Sequence, residues 1–353
     1  MPYPAIEPSP DFGRLETVLR RGIPDRVPFI ELFLDEPIMV AIREAPFSTD
    51  PRRRAAETAD LFLRLGYDYV PAATAFSFPY HSVTAKDTAH LPMEQRNWVQ
   101  AAGGAIETWE DFRRYPWPTP SEDSYAPIER AAEALPEDMK LVPHGPGGVL
   151  ENVMWLMGYE ALSYALADQP DLAEAVFDRV GSALLNVFDV LARHEGVGGL
   201  CLGDDMGFKT QTMLSPDALR RYVFPWQRRI VEVVHAQGKP FILHACGNLD
   251  SVMDELIDYV GIDAKHSFED VITPVTEAKR RWGTRVALLG GPDMDLLARG
   301  TPEQVRARTR EVLEACMPGG GFALGSGNSI ANYIPLENYF AMLEEGWRVG
   351  VYS

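Results

Sequence analysis

The sequence predicts an α/β protein: a single (β/α)8 TIM barrel with an insertion after the second strand. Three observations carry this expectation. Eight short apolar runs recur along the 353 residues, each followed by a polar or Gly-rich junction and a longer helical stretch. The runs are apolar on both faces, which is how parallel strands covered on both sides read. No G-x-G-x-x-G follows the first run, which weakens the alternative of an open doubly wound sheet.

Taken in order, the runs are 27–33, 67–72, 140–144, 199–203, 240–244, 262–265, 286–289 and 321–324. The helical stretches between them carry start and stop signals. Ser215-Pro216-Asp217 offers an N-cap followed by Pro at the first helical position. Thr301-Pro302-Glu303-Gln304 reads as a capping box. Residues 171–192 place apolar side chains at helical spacing. Gly238, Gly261, Gly283 and Gly300 sit where helices should stop. The irregular stretch is 76–120, rich in Pro, Trp and Tyr, and reads as an insertion or lid over the barrel mouth within one domain spanning 1–353.

Charge and composition narrow the function. With 33 Lys+Arg against 51 Asp+Glu the formal net charge is -18, a surface that repels nucleic acid and anionic membranes. The apolar fraction of 46% and charged fraction of 24% are those of a globular chain, not a disordered acidic one. Three cysteines make no disulfide framework. The first residues lack the basic and apolar regions of a signal peptide, and no apolar run reaches membrane-spanning length. The expectation is a cytoplasmic protein.

Barrel enzymes place their chemistry at the carboxyl ends of the strands. Here those ends carry Glu31, Asp35 and Glu36 after the first run, and His144 with Glu151 after the third. Asp204 and Asp205 follow the fourth, His244 and Cys246 the fifth, and His266 and Glu269 the sixth. Asp293 follows the seventh, and Ser326 and Asn328 the eighth. The sharpest feature is His244-Ala245-Cys246-Gly247-Asn248. Residues i and i+2 of a strand face the same way, so His244 and Cys246 aim at one point. Imidazole and thiolate together favour zinc. The competing reading is a packed core histidine beside a small buried thiol.

Adjacent carboxylates at Asp204 and Asp205 repel each other unless a metal, a cationic substrate or Lys209 lies near. Otherwise one of them caps a helix or turn and the other is solvated. Glu151 sits in an apolar segment, where a charge is costly unless paired or placed at a helix N-terminus. Gly145-Pro146-Gly147-Gly148 reads as a tight strand-to-helix junction rather than a phosphate loop. Asp204, Asp205 and Glu151 are therefore the candidate catalytic groups, and Glu31, His144, His266, Asp293 and Asn328 the candidate substrate contacts. Glu151 and Asp205 are also candidate further metal ligands. Phe76, Phe78, Tyr80 and Trp98 of the insertion either line a pocket or pack the lid; His81 and His90 carry no spacing signal.

At these residues the chain resembles the uroporphyrinogen decarboxylase superfamily over nearly its whole length. The carriers are Gly22-Ile23-Pro24-Asp25-Arg26-Val27-Pro28, the His244–Asn248 segment, Gly290-Gly291-Pro292-Asp293, Gly300-Thr301-Pro302-Glu303-Gln304-Val305, Gly319-Gly320-Gly321-Phe322 and Pro335-Leu336-Glu337-Asn338. The resemblance implies a barrel and either of two activities. The decarboxylase branch carries a Met-Arg-Gln-Ala-Gly-Arg segment after strand one, whose arginines hold a polyanionic tetrapyrrole. Here that place reads Phe29-Ile30-Glu31-Leu32-Phe33-Leu34-Asp35-Glu36, which would repel it. The corrinoid-dependent methyltransferase branch binds zinc through His-x-Cys after strand five, often with a Cys after strand eight. His244 and Cys246 match, but the later stretch is Leu324-Gly325-Ser326-Gly327-Asn328. The implied function is zinc-dependent transfer of a methyl group from an O-methylated small molecule, aromatic ones included, to the cobalt of a cobalamin. A separate corrinoid protein would carry that cofactor. A decarboxylase-like lyase and a non-catalytic small-molecule or corrinoid-binding barrel stay open as alternatives, as does a homodimer.

Overall fold

The structure is a computed structural model that describes residues 3–87, 89, 91, 96–99 and 103–352. Seven parallel strands form one curled sheet in the order β1 (Tyr69–Ala73), β4 (Lys140–His144), β5 (Leu200–Gly203), β6 (Phe241–His244), β7 (Ala264–His266), β8 (Ala287–Gly290) and β9 (Phe322–Leu324). All seven expected runs from 67 onward became strands, with ends shifted by one or two residues. Their apolar character on both faces is explained by burial: β6 and β8 are buried at every residue. Helices such as Pro170–Arg193 cover the outside, with an inward stripe that includes Val176, Val180, Leu184, Val187 and Leu191.

The first run, 27–33, takes the eighth place in the barrel but, among the described residues, makes a single isolated bridge, Phe29 with Leu324, with another just beyond its end, Leu34 with Ile330. Two features account for the missing ladder. Pro28 has no N–H to donate. On the other side the Tyr69 hydroxyl accepts from the Glu31 N–H at 2.8 Å and donates to the Glu31 carbonyl, in place of a strand partner. A side chain thus closes the barrel where the backbone does not.

The helix signals hold locally. Ser215 accepts from the Ala218 N–H, and Thr301 with Gln304 forms a reciprocal capping box. Gly238 and Gly261 adopt left-handed φ values of 71° and 84°. The insertion contains an antiparallel hairpin of β2 (Ser82–Ala85) and β3 (Arg96–Val99) and a short helix, Trp109–Arg114. It is tied to the loop after β9, where Asn332 holds Asp87 and Leu91, and to the helix after β4, where the Ile106 N–H meets the Leu156 carbonyl. Both anchors follow carboxyl ends of strands, so the insertion lies across that face.

Candidate metal centre

Gly247 sets the geometry of the centre. Its φ is 82°, and a Cβ there would sit 2.1 Å from the Gly207 carbonyl oxygen. The turns leaving β5 and β6 therefore press together backbone to backbone. The Gly207 N–H donates to the Cys246 carbonyl and the Asn248 N–H to the Phe208 carbonyl. This contact brings Asp205 against Cys246, whose N–H donates to Asp205 Oδ1 at 2.6 Å.

Around that turn, one ligand atom each from Asp205, His244 and Cys246 lies within 4.8 Å of the other two. His244 Nε2 is 3.6 Å from Cys246 Sγ and 3.8 Å from Asp205 Oδ1. Carboxylate, imidazole and thiolate are zinc ligands in number and kind for a site that keeps one position open. The electrostatics fit a cation. Burial, and then the Asp205 charge, push the Cys246 thiol up to about 12. Burial, and then the His266 ring, push His244 well down, which keeps it a neutral ligand. A bound cation reverses the cost of the thiolate.

The sequence candidates separate into three groups. Asp205, His244 and Cys246 come together. Glu151 stands beside them: burial first, then the charges of Asp205 and Asp204, hold its carboxyl well above the usual range. Asn328 reaches the thiol too, with Nδ2 at 3.1 Å from Cys246 Sγ.

Asp204 does not join them. Fully buried, it accepts from the N–H groups of Val149 (2.9 Å) and Glu151 (3.1 Å) and from Gln227 Nε2 (2.8 Å). It caps the helix Val149–Met157 from a neighbouring strand, because the N-cap itself is Gly148. A Cβ on Gly148 would meet Asp204 at 2.1 Å, so the Gly-rich junction exists to admit this carboxylate. Asp293 is likewise a cap, accepting from the N–H groups of Asp295 and Asp270.

Glu31 lies in the barrel interior rather than at its opening. It is 1% exposed, takes the Ser326 N–H and hydroxyl at 2.6 Å each, and burial pushes it up to about 8. Ser326, at the place where a Cys is often found, therefore serves Glu31. Glu36 forms an outer ion pair with Arg54. His266 sits behind His244, with the two Nδ1 atoms 2.8 Å apart, and His144 lines the interior with Glu31. In the insertion, Phe76 and Phe78 are buried in an aromatic cluster with Trp117, so they pack the lid rather than a pocket. Tyr80 rests on Trp155 with ring centroids 5.3 Å apart. His90 and the Trp98 side chain lie outside the described residues.

Two groups had no sequence signal. Ser267, at φ 81°, brings its hydroxyl to 3.5 Å from Cys246 Sγ. Lys265, 4% exposed, donates to the carbonyls of His266 and Ser267 and is pushed down to about 8 by burial. A lysine inside a strand usually reads as an edge residue, which hides both.

Residues 104–346 match the profile described as Uroporphyrinogen decarboxylase (URO-D). A methylated-thiol--coenzyme M methyltransferase of Methanosarcina mazei is 30% identical over 184 residues, 52% of this chain and 46% of that protein. A uroporphyrinogen decarboxylase of Anaeromyxobacter dehalogenans is 26% identical over 198 residues, 54% of this chain and 53% of that protein. The chain thus spans about half the length of the curated relatives it matches. Among solved structures, a methyltransferase from Methanosarcina mazei superposes with a TM-score of 0.68 at 20% identity, covering 94% of this chain and 97% of the other. That likeness supports the barrel fold.

Proposed function

The chain belongs to the uroporphyrinogen decarboxylase family, and within it we propose that this protein is a zinc-dependent methyltransferase. Its methyl donor is an O-methylated small molecule, methoxylated aromatics included, and its acceptor the cobalt of a cobalamin carried by a separate corrinoid protein. The observation that supports this most directly is the Asp205–His244–Cys246 cluster at the ends of β5 and β6. A set with one thiolate and one carboxylate suits a Lewis acid acting on an ether oxygen more than a sulfur-rich set would. The relative named for a methylated thiol favours the same class of transfer.

The residues divide the work as follows. Asp205, His244 and Cys246 would hold zinc, which would supply polarisation of the substrate oxygen. Asn328 and Ser267 orient the Cys246 sulfur. Glu151 would donate its proton to the departing oxygen as the carbon–oxygen bond breaks, and the corrinoid would supply the methyl acceptor. A decarboxylase reading is disfavoured by the same site, since the Asp205 carboxylate repels a polycarboxylate.

The test is metal analysis with a cob(I)alamin methylation assay over a panel of methoxylated compounds. The wild type should carry about one zinc and methylate cobalt. Cys246→Ser should lose most of the metal. Glu151→Gln should keep the metal and lose transfer by about 10²–10⁴-fold; loss of zinc in that variant would make Glu151 a ligand instead. A wild type without zinc or methyl transfer contradicts the reading.

A further inference from the structure

His266 is unexplained by the proposed chemistry, yet its surroundings are specific. It pairs in register with His244 across β6 and β7, so both rings stand on the same face. Their Nδ1 atoms are 2.8 Å apart, a distance that requires a proton on one of the two. His266 is 2% exposed, and its Nε2 has no partner among the described residues. His266 lines a cavity of about 10 Å³ together with Glu31 and His144, and Cys246 is not among the residues that line it.

These facts fix a proton inventory. If His244 offers its Nε2 lone pair toward Cys246 and Asp205, its own proton must sit on Nδ1. That proton then points at His266 Nδ1, which must be bare. The His266 proton is left on Nε2, buried, where an unsatisfied donor costs about 1–3 kcal/mol. The cavity is large enough for one water, and Glu31 supplies a second polar partner for it.

We propose that His266 is a positioning residue that fixes the His244 tautomer, and that a single buried water joins the His266 Nε2–H to the Glu31 carboxyl. The inference rests on the reading of His244 as a ligand. It reaches beyond that reading by assigning a chain, His244 to His266 to water to Glu31, that runs from the centre into the barrel core. Outer partners of this kind set ring orientation and ligand basicity.

Ring nitrogen NMR on the metal-free wild type tests the chain without zinc. The expected result is His244 protonated at Nδ1, His266 protonated at Nε2, and a slowly exchanging His266 Nε2–H with a cross-peak to bound water. A proton on His266 Nδ1, or no such water contact, overturns the inference. A second arm measures zinc affinity by chelator competition. His266→Leu should bind about 10–100-fold more weakly. His266→Asn, which keeps an acceptor near the Nδ1 position, should recover most of the loss. Equal affinity in wild type and His266→Leu, or no recovery with Asn, also overturns it. A wild type that binds no zinc but shows these tautomers contradicts the proposed function and leaves the chain standing.

Discussion

At the scale of single residues, side-chain direction along a strand decides which groups meet at the centre. His244 and Cys246 are two apart and converge. Asp204 and Asp205 are adjacent, so they face opposite ways, and the sequence holds no register to say which turns toward the centre. The structure sends Asp204 to a helix N-terminus and Asp205 to Cys246. Glu31 was legible as a carboxylate at a strand end but not as a buried one, because its depth depends on Ser326, distant in sequence. Its carboxyl, raised from 4.5 to about 8 by burial, has a consequence for stability. The folded state binds the proton more tightly, so the contribution is complete below pH 4.5 and is lost as pH rises through about 8. The loss is at most about 1.4 kcal/mol per pH unit in that window. Glu31→Gln mimics the protonated acid. Its denaturation midpoint should gain steadily on wild type between pH 5 and 8 (roughly the window between the two states), and parallel curves would contradict the assignment.

At the scale of elements, seven of eight strands were readable because each is apolar on both faces and bounded by turn residues. The eighth place was readable as an apolar run but not as a bridge made by a tyrosine hydroxyl, since that depends on Tyr69 from the next strand. The hairpin of β2 and β3 has no clear sequence signal, because each strand is only 4 residues long and lies in the irregular Pro-, Trp- and Tyr-rich stretch. The turns after β5 and β6 combine a close backbone approach with a positive φ. Gly247→Ala adds a left-handed strain and a clash with Gly207. It should destabilise the fold by at least about 2 kcal/mol, read as a lowered melting temperature with reduced metal content. Gly238→Ala, also at positive φ but with nothing within 4 Å of the added Cβ, should cost less. Equal losses would mean that the backbone contact does not govern the centre.

At the scale of the whole molecule, the net charge of -18 is distributed differently from what a list of strand-end acids implies. Helix-surface pairs such as Arg20–Glu16, Arg64–Asp60 and Arg193–Asp189 cancel in charge and contribute little to stability individually. Among the strand-end acids, Glu36 is paired outside, Asp204 is a cap, and Glu31 is interior. Asp205 and Glu151 remain at the opening, and they are the acids the proposed chemistry uses. Among the described residues no helix is long and apolar enough to cross a membrane. The barrel, its lid anchors and its core thus converge on one small cluster at the ends of β5 and β6. Zinc K-edge X-ray absorption on the purified protein tests that cluster most directly. The account predicts one sulfur at about 2.3 Å with nitrogen and oxygen ligands at about 2.0–2.2 Å, and loss of the sulfur shell in Cys246→Ser. A sulfur-free first shell, or one with two sulfurs, would contradict it.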